Sequence, residues 1–293
     1  MAKAKNSSDH KGMIRRLKQS PAYRIAYYDN DFLGEPHMRP ARLMIELEKP
    51  ESVFRKNKIV STIVVFGGTR IDEPVKARAR VETLESQTRK HPKNASLKFR
   101  LRVAKSILAK SKYYDEAREF ARIVSTECQM HNDSQYVIVT GGGPGIMEAA
   151  NRGAWDVGAK SIGLNITLPM EQEPNAYISP ELCLQFHYFA IRKMHFLLRA
   201  KALLAFPGGY GTLDELFEAL TLVQTKKVPQ LPIILFGEKY WRKLINFDAL
   251  VEEGTIDADD LKLFTYCDKA VDAWTYVKQF YAQRNGKNGL SAK

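Results

Sequence analysis

The sequence predicts an α/β protein whose core is a doubly wound parallel sheet with helices on both faces. Two observations carry this prediction. From Ile59 onward, short apolar runs rich in Val, Ile and Leu alternate with longer segments whose apolar residues recur at three- and four-residue spacing. Three of the apolar runs are followed at once by a glycine-rich loop. Strands that alternate with helices in this way are joined by right-handed crossovers into a parallel sheet covered on both faces.

The first 58 residues predict an N-terminal arm. They combine four prolines with clustered tyrosines, and the pattern changes sharply at Ile59. A single α/β core with added helices can accommodate the remainder of the 293-residue chain. We therefore expect an arm over residues 1–58 and one domain over residues 59–293.

The domain is predicted to alternate between strands and helices from Ile59 onward. The run IVSTIVVFGG, which starts at Ile59, is typical of a buried parallel strand followed by a loop. Residues 74–112 are basic with apolar residues at helical spacing, so we expect a helical insertion there, divided at His91-Pro92. The later strands are predicted at 136–140, 159–166, 201–206, 231–236 and 261–268, and the later helices at 113–130, 146–158, 189–200, 212–227 and 270–283. The expected architecture is Rossmann-like.

Composition excludes several classes of protein. Apolar residues make up 44% of the chain and aromatic residues 10%, enough to bury a core. No window approaches the roughly 18 consecutive apolar residues of a membrane span, and the N terminus lacks the apolar stretch of a signal peptide. Cys128, Cys183 and Cys267 are odd in number and far apart, so neither a disulfide framework nor a metal knuckle is indicated. We expect a cytoplasmic protein without a membrane partner.

The net charge of +12 is concentrated in the first part of the chain. Residues 1–58 contribute +6 and residues 70–112 contribute +9, whereas residues 113–293 contribute −3. Two interpretations stay open, a solvated helical face and a patch for a polyanion. No RNA-binding aromatic motif or zinc finger is present in the sequence, so a nucleic-acid partner is not favoured.

Three glycine-rich loops are the main functional signal. They are Gly67-Gly68-Thr69, Gly141-Gly142-Gly143-Pro144-Gly145 and Pro207-Gly208-Gly209-Tyr210-Gly211-Thr212. In open α/β sheets, ligands bind beyond the carboxyl ends of the strands, where these loops stand. Glycine lets a ligand approach the backbone, and a following helix offers N–H groups to a phosphate. One such loop could be a tight strand-to-helix turn, but several together predict a phosphorylated ligand.

The loops do not match the usual nucleotide fingerprints. No GK[ST] follows a glycine loop, which excludes a Walker A triphosphate site. The strand after the second loop ends in Leu164-Asn165-Ile166, without the acid that holds the ribose of a dinucleotide. A mononucleotide therefore suits the sequence better than NAD.

Charged side chains near the third loop are candidates for chemistry. Asp214 and Glu215 fall in the first turn of the helix that follows it, where capping is an equal alternative. Arg192 and Lys193 lie on the preceding helix, and position alone does not select them. Histidines eight residues apart on that segment are expected to be packing residues rather than metal ligands.

Two segments carry a family resemblance. FPGGYGTLDELFEAL resembles a PGGxGTxxE motif, and GGGPGIMEAANRGA resembles its companion glycine loop, in the family first labelled "possible lysine decarboxylase" and now typified by the cytokinin-activating LOG phosphoribohydrolases. The resemblance extends from about Ile59 to the C terminus, except in the basic insertion. The segments MEQEPNAYISP, FAIRKMHF and LPIILF are similar to the longer, second type of that family. The arm and the insertion depart from its compact members.

The resemblance implies hydrolysis of the N-glycosidic bond of a nucleoside 5′-monophosphate, AMP or a cytokinin riboside monophosphate, to free base and ribose 5-phosphate. Arg192 and Glu215 match the family's catalytic pair, and Lys193 completes its Arg-Lys dipeptide. The residues expected to bind the phosphate and close the pocket are Gly208, Gly209, Gly211, Thr212, Gly142, Gly143, Gly145, Gly67, Gly68 and Thr69. A homo-oligomer, at least a dimer, is expected, with no metal or organic cofactor.

Two alternatives remain beside this interpretation. A protein of the same fold could bind a nucleotide or another small molecule without hydrolysing it, as a sensor or carrier. The presence of both Arg192 and Glu215 argues for catalysis. A lysine decarboxylase would need a pyridoxal phosphate lysine with an acidic partner for the ring nitrogen, and nothing in the sequence singles out such a pair.

Overall fold

The computed structural model describes residues 2–129, 134–169 and 173–288. Its contacts divide the chain into two compact units, Met1–Lys49 and Pro50–Lys293. The expected arm boundary at residue 58 remains a prediction. None of the helices within the described residues has the length and apolar character needed to cross a membrane.

The first unit is helical. Its helices are α1 (Ala2–Gln19), α2 (Asn30–Gly34) and the first part of α3 (Arg39–Lys56), which continues into the second unit. The carboxylate of Asp29 caps α2 by accepting hydrogen bonds from the backbone N–H groups of Asp31 and Phe32 at 3.2 and 3.3 Å. The guanidinium of Arg42 donates to two carbonyl oxygens at the end of α2, which fixes the turn into α3.

Within the described residues, the second unit contains one parallel sheet of seven strands. The strands are β1 (Thr62–Phe66), β2 (Val137–Thr140), β3 (Ser161–Ile166), β4 (Cys183–Phe186), β5 (Ala200–Ala205), β6 (Ile233–Phe236) and β7 (Phe264–Cys267). Their order across the sheet is β4-β3-β2-β1-β5-β6-β7. The predicted doubly wound α/β fold is confirmed. Strand β4 was not predicted, because this short edge strand buries only alternate residues, Leu184 and Phe186.

Helices cover both faces of the sheet. They are α4 (Pro74–Lys90), α5 (Ala95–Leu108), α6 (Lys112–Gln129), α7 (Ile146–Trp155), α8 (Phe189–Leu198), α9 (Tyr210–Gln224), α10 (Glu238–Leu244), α11 (Phe247–Glu252) and α12 (Ala270–Asn288). Helices α6, α7 and α12 share one core cluster with Ile63 and Val65 of β1. Phe66 contacts Phe196 of α8, with the ring centroids 4.8 Å apart. Since successive side chains of a strand point to opposite faces, α8 covers the other face.

The insertion has a small core of its own. Val81, Leu84 and Ala104 bury their side chains between α4 and α5, with partly buried leucines of α5 packed around them. Asn94 caps α5 by accepting a hydrogen bond from the N–H of Leu97 at 3.0 Å. At its start the insertion is tied to α7 by an ion pair between Glu73 and Arg152. Residues 74–108 are therefore two helices packed on each other.

The strand order places a crevice beside β1. Strands β2, β3 and β4 extend the sheet from one side of β1, and β5, β6 and β7 extend it from the other. The chain thus adds strands on one side of β1 as far as β4 and on the other side from β5 onward, so the switch point of the sheet lies between β1 and β5. Such a switch point is where open α/β sheets bind ligands, at the carboxyl ends of the strands.

Candidate functional site

The three glycine loops meet at the carboxyl edge of the sheet. The N–H of Gly68 donates to the carbonyl oxygen of Pro207 at 2.9 Å, which joins the loops after β1 and β5. The N–H of Ile146 donates to the carbonyl oxygen of Gly68 at 3.3 Å, which joins the loop after β2 to the first one. The structure therefore brings together the loops that the sequence singles out.

Two of the glycines are required by close contacts. At Gly145, φ is +73°, and a Cβ would lie 2.4 Å from the carbonyl oxygen of Gly68, so a side chain there would push the first and second loops apart. A Cβ at Gly208 would lie 2.1 Å from the hydroxyl oxygen of Thr212, so a side chain there would displace Thr212 within the third loop.

Helix α9 directs its N-terminus into this edge. Gly209 precedes the helix and supplies no side-chain cap, and Gly211 and Thr212 belong to the first turn. The first N–H groups of a helix have no intrahelical acceptor and carry a partial positive charge. An oxyanion at this position can accept hydrogen bonds from these N–H groups and neutralise the partial positive charge.

A cavity of about 520 Å³ adjoins this helix end. Gly68 and Thr69 of the first loop line it together with Pro207, Gly208 and Gly209 of the third. Its other walls come from α10 and from the end of the insertion. The volume lies in the range of small-molecule sites. Gly67 lies behind the cavity, packed against Ile146 so closely that a Cβ would meet its side chain.

The two predicted catalytic residues form a buried pair between α8 and α9. A guanidinium nitrogen of Arg192 lies 3.7 Å from a carboxylate oxygen of Glu215, and the two side chains are 13% and 7% exposed. The guanidinium also lies 5.4 Å from the ring centroids of Phe189 and Phe196. Arg192 is thus held in place by packing as well as by charge.

Lys193 binds the neighbouring carboxylates on α9. Its Nζ lies 2.8 Å from Asp214 and 2.9 Å from Glu218. The face between α8 and α9 therefore holds two cations and three carboxylates, counting Glu215 and Arg192. When all five groups are ionised, the cluster therefore carries one negative charge that its two cations do not neutralise.

Burial raises the pKa of Glu215 to about 7, although Lys193 and Arg192 act to lower it and Glu218 and Asp214 add to the rise. Burial lowers the pKa of Arg192 from its usual value, and Glu215 opposes that change. Arginine nonetheless keeps its charge at any physiological pH. A carboxyl group that titrates near neutrality can give or take a proton, which is the property of a general acid or base.

Thr212 links the glycine loop to this pair. Thr212 and Glu215 are three residues apart on α9, so their side chains share one face of the helix, and both are buried. Neither Arg192 nor Glu215 lines the 520 Å³ cavity. Within the described residues, the predicted site residues therefore form two groups, with Thr212 between them. One group is the glycine loops, of which the first and third line the cavity, and the other is the charged cluster of α8 and α9.

The second glycine loop is anchored by an asparagine that the sequence did not reveal. The side-chain amide of Asn175 donates to the carbonyl oxygens of Gly142 and Gly143 at 3.1 and 3.0 Å and to the Oδ1 of Asn151 at 3.0 Å. The backbone N–H of Asn175 adds a bond to Gly142 at 2.8 Å. With these carbonyl oxygens engaged from one side, the loop is held in one conformation.

Asn151 extends the anchor into the sheet. Its Oδ1 accepts a hydrogen bond from the hydroxyl of Thr140 at 2.7 Å, and its amide donates to Ser161 at 3.1 Å. The hydroxyl of Thr140 in turn accepts from the N–H of Gly142 at 3.0 Å. Asn175 lies between β3 and β4, and residues 170–172 of that segment lie outside the described part of the chain. A lone asparagine in such a segment carries no recognisable sequence signal.

Large apolar side chains surround the charged cluster at the surface. Phe189 and Leu198 on α8 are 50% and 55% exposed, and Tyr210 at the start of α9 is 93% exposed. Met194 and Phe217 on the same two helices are also exposed. Exposed apolar patches of this kind mark interaction surfaces.

His195 of α8 is packed in the protein interior. The imidazole of His195 is buried between the rings of Phe54 and Phe186, and its Nδ1 lies 3.4 Å from the carboxylate of Glu51. Glu51 also receives two hydrogen bonds from Arg199. Among the described residues, no three His, Cys, Asp or Glu side chains come together in a way that could hold a metal ion.

Parts of this chain are similar in sequence to known proteins. Residues 147–277 match the model of a family described as "possible lysine decarboxylase". A rice protein named probable cytokinin riboside 5′-monophosphate phosphoribohydrolase LOG4 is 30% identical over 147 residues, which cover 49% of this chain and 62% of the rice protein. The Arabidopsis thaliana cytokinin riboside 5′-monophosphate phosphoribohydrolase LOG4 is 29% identical over 154 residues, 51% of this chain and 67% of that protein. The match thus spans less than two thirds of the length of the rice relative.

Among solved structures, the molybdenum cofactor carrier protein of Chlamydomonas reinhardtii is 18% identical and aligns with a TM-score of 0.42. The alignment covers 76% of this chain and 98% of that one.

Glu215 should make the stability of the protein depend on pH. Its pKa is about 7 in the folded state and near 4.5 in an unfolded chain, so folding favours the protonated form. The resulting stability is complete below pH 4.5 and is lost as the pH rises through 7. We expect the free energy of unfolding of the wild type to fall by about 3 kcal/mol relative to Glu215→Gln between pH 4.5 and 8.

Denaturant unfolding of both proteins at several pH values measures this difference. Glu252→Gln, a substitution of an exposed carboxylate on α11, is the matched control and should keep the pH dependence of the wild type. Parallel curves for wild type and Glu215→Gln would mean that the carboxyl group titrates normally.

Asn175→Asp should release the second glycine loop. The substitution keeps the shape of the side chain but turns a donor into an acceptor that faces the carbonyl oxygens of Gly142 and Gly143. We expect the free energy of unfolding to fall by about 1–3 kcal/mol. Asn246→Asp is the control, because Asn246 caps α11 and aspartate caps equally well. Equal stability of the two variants would contradict the anchoring role.

Proposed function

We propose that the chain is a member of the family described as "possible lysine decarboxylase" and that it is a hydrolase that cleaves the N-glycosidic bond of nucleoside 5′-monophosphates. The products are the free base and ribose 5-phosphate. The observation that carries the proposal is the buried Arg192–Glu215 pair, whose carboxyl group has a pKa of about 7, next to the glycine loop that ends in Thr212.

The division of the site into two groups fits this reaction. The phosphate is bound by N–H groups at the start of α9 and by the hydroxyl of Thr212, while Gly142, Gly143 and Gly145 close the pocket from the neighbouring strand end. The ribose then extends toward Glu215, which lies one helical turn from Thr212.

Glu215 acts on the bond between C1′ and the base. As that bond breaks, the ribose gains oxocarbenium character, which a carboxylate beside it stabilises. The ionised carboxyl group takes a proton from the attacking water, whose oxygen bonds to C1′ as the bond to the base breaks. The departing base nitrogen takes a proton from solvent, and Glu215 releases the proton that it took back to solvent, which regenerates the carboxylate. Arg192 keeps its charge throughout, orients Glu215 and neutralises part of the negative charge of the cluster.

The environment of Lys193 supports hydrolysis over decarboxylation. A lysine that forms a Schiff base must lose its proton readily. Burial alone would lower the pKa of Lys193, but hydrogen bonds to Asp214 and Glu218 raise it above its usual value. Lys193 therefore stays protonated and serves to hold the carboxylates of α9.

The proposed substrates are inferred from the similar rice and Arabidopsis proteins. Their names designate cytokinin riboside 5′-monophosphates as substrates, so we propose N6-modified adenine nucleotides and AMP as the substrates of this chain. The three cysteines are free thiols, which fits our proposal of a reducing cytoplasmic location. We also propose that a second copy of the chain covers the exposed apolar side chains of α8 and α9.

Glu215→Gln should abolish turnover while leaving nucleotide binding intact. The amide keeps the hydrogen-bonding shape but can neither accept the proton of water nor stabilise a cation, so kcat should fall about 10²- to 10⁴-fold. Release of adenine from AMP and of base from isopentenyladenosine monophosphate measures turnover, and calorimetry measures AMP binding. Glu252→Gln is the control and should keep full activity.

The same assays separate hydrolysis from simple binding. Base release by the wild type from monophosphates, and not from adenosine, establishes the reaction. Normal turnover in Glu215→Gln would remove Glu215 from the mechanism. Tight AMP binding without any base release in the wild type would point instead to a carrier or sensor.

Leu198→Asp should dissociate the proposed dimer. Leu198 is 55% exposed on α8, and a charge there would have to be buried against the second copy. Sedimentation or light scattering over a range of concentrations should give a dimer for the wild type and a monomer for the variant. Val271→Asp, an equally exposed site on α12, should leave the mass unchanged. A monomeric wild type would refute the dimer.

A further inference from the structure

The end of the basic insertion forms a wall of the cavity beside the glycine loops. Ile107 and Lys110 line it from the insertion, and Arg70 lines it directly after the first loop. None of the lining residues that the structure describes carries a carboxylate. The cavity therefore combines two cations with the N-terminus of α9 and has no acid of its own to neutralise them.

Lys110 is held with one donor to spare. Its Nζ donates to the carbonyl oxygen of Ser106 at 2.9 Å and to the hydroxyl of Ser106 at 2.7 Å. An ammonium group has three donors, so one remains for a ligand. Within the described ranges Lys110 has no carboxylate at ion-pair distance, although several other lysines do.

The surroundings of Lys110 favour an anion at this place. Burial and the charge of Lys243 lower the pKa of Lys110. An anion beside it would offset both effects, because it stabilises the ammonium form. Lys110 lines the same cavity as Gly208 and Gly209 of the third loop. This cation therefore lies beside the N-terminus of α9, where an oxyanion can bind.

We propose that Lys110, together with Arg70, binds the phosphate of the nucleotide, so that the insertion determines the preference for phosphorylated over unphosphorylated ribosides. This inference rests on the proposed function for its ligand and deepens it. A phosphate monoester is a dianion with several acceptor oxygens, which matches two cations and a helix N-terminus. Only the end of the insertion takes part, and the cations farther along α4 and α5 lie away from the cavity.

Binding of ribose 5-phosphate tests the proposal without requiring turnover. Lys110→Met removes the charge but keeps an unbranched apolar side chain, and we expect the dissociation constant for ribose 5-phosphate to rise about 10- to 100-fold. Lys110→Arg should restore most of the affinity. Lys98→Met removes an equal charge from an exposed position of α5 and should change affinity less than twofold.

Kinetics with AMP provide a second readout. A group that holds the phosphate equally in the ground state and the transition state affects KM and leaves kcat nearly unchanged. At a pH well above 7, where Glu215 is ionised with or without the cation, we therefore expect Lys110→Met to raise KM for AMP by the same factor and to keep kcat, whereas Glu215→Gln lowers kcat. A fall in kcat with unchanged KM would overturn the phosphate-binding role.

The two proposals fail in different ways. Lys110-dependent binding of ribose 5-phosphate by a wild type that releases no adenine keeps the phosphate subsite and refutes the hydrolase. Adenine release with equal ribose 5-phosphate affinity in wild type and Lys110→Met keeps the hydrolase and refutes the subsite. A wild type that binds neither ribose 5-phosphate nor AMP refutes both.

Discussion

The close approach of three backbone loops at the carboxyl edge of the sheet is the constraint on which the candidate site depends. Hydrogen bonds through Gly68 connect the loop after β1 to the loops after β2 and β5. The bond to the loop after β2 requires that Gly145 present no side chain to Gly68. If the loops moved apart, the N-terminus of α9 would no longer face the crevice between β1 and β5. Binding by backbone groups therefore follows directly from the strand order and the glycine positions.

The charged cluster between α8 and α9 is not arranged for maximal stability. Three carboxylates and two cations are packed together, and burial outweighs the cations at Glu215, whose pKa rises to about 7. An arrangement optimised for stability would pair Glu215 fully or replace it with an apolar residue. A carboxyl group that ionises at a cost in folding free energy is typical of a site where reactivity has been retained over stability.

The sequence predicted the parts of the molecule that have a regular period or a dense local motif. Six of the strands, the helices between them and the glycine loops belong to this class, because burial on both faces of a parallel sheet produces continuous apolar runs. Strand β4 lies at the edge of the sheet and consists of four residues, too few for its alternation to stand out.

The anchoring role of Asn175 depends on contacts that no local pattern encodes. Its amide reaches Gly142 and Gly143, more than 30 residues earlier in the chain. The position of Lys110 is likewise a consequence of how the insertion folds back toward the loops. The basic composition of the insertion alone leaves a solvated face and a polyanion patch as open interpretations, and the cavity distinguishes Lys110 from the other lysines of the insertion.

Under the proposed function, phosphate binding and the ionisation of Glu215 are linked. A bound phosphate brings two negative charges into a region where Asp214 and Glu218 already raise the pKa of Glu215. If that charge were not neutralised, it would push the pKa further above 7 and reduce the fraction of carboxylate able to accept a proton from water. Cations beside the phosphate counter this effect, because they cancel its field at Glu215. Lys110 and Arg70 would therefore do more than select phosphorylated ligands: they would keep the general base ionised in the complex.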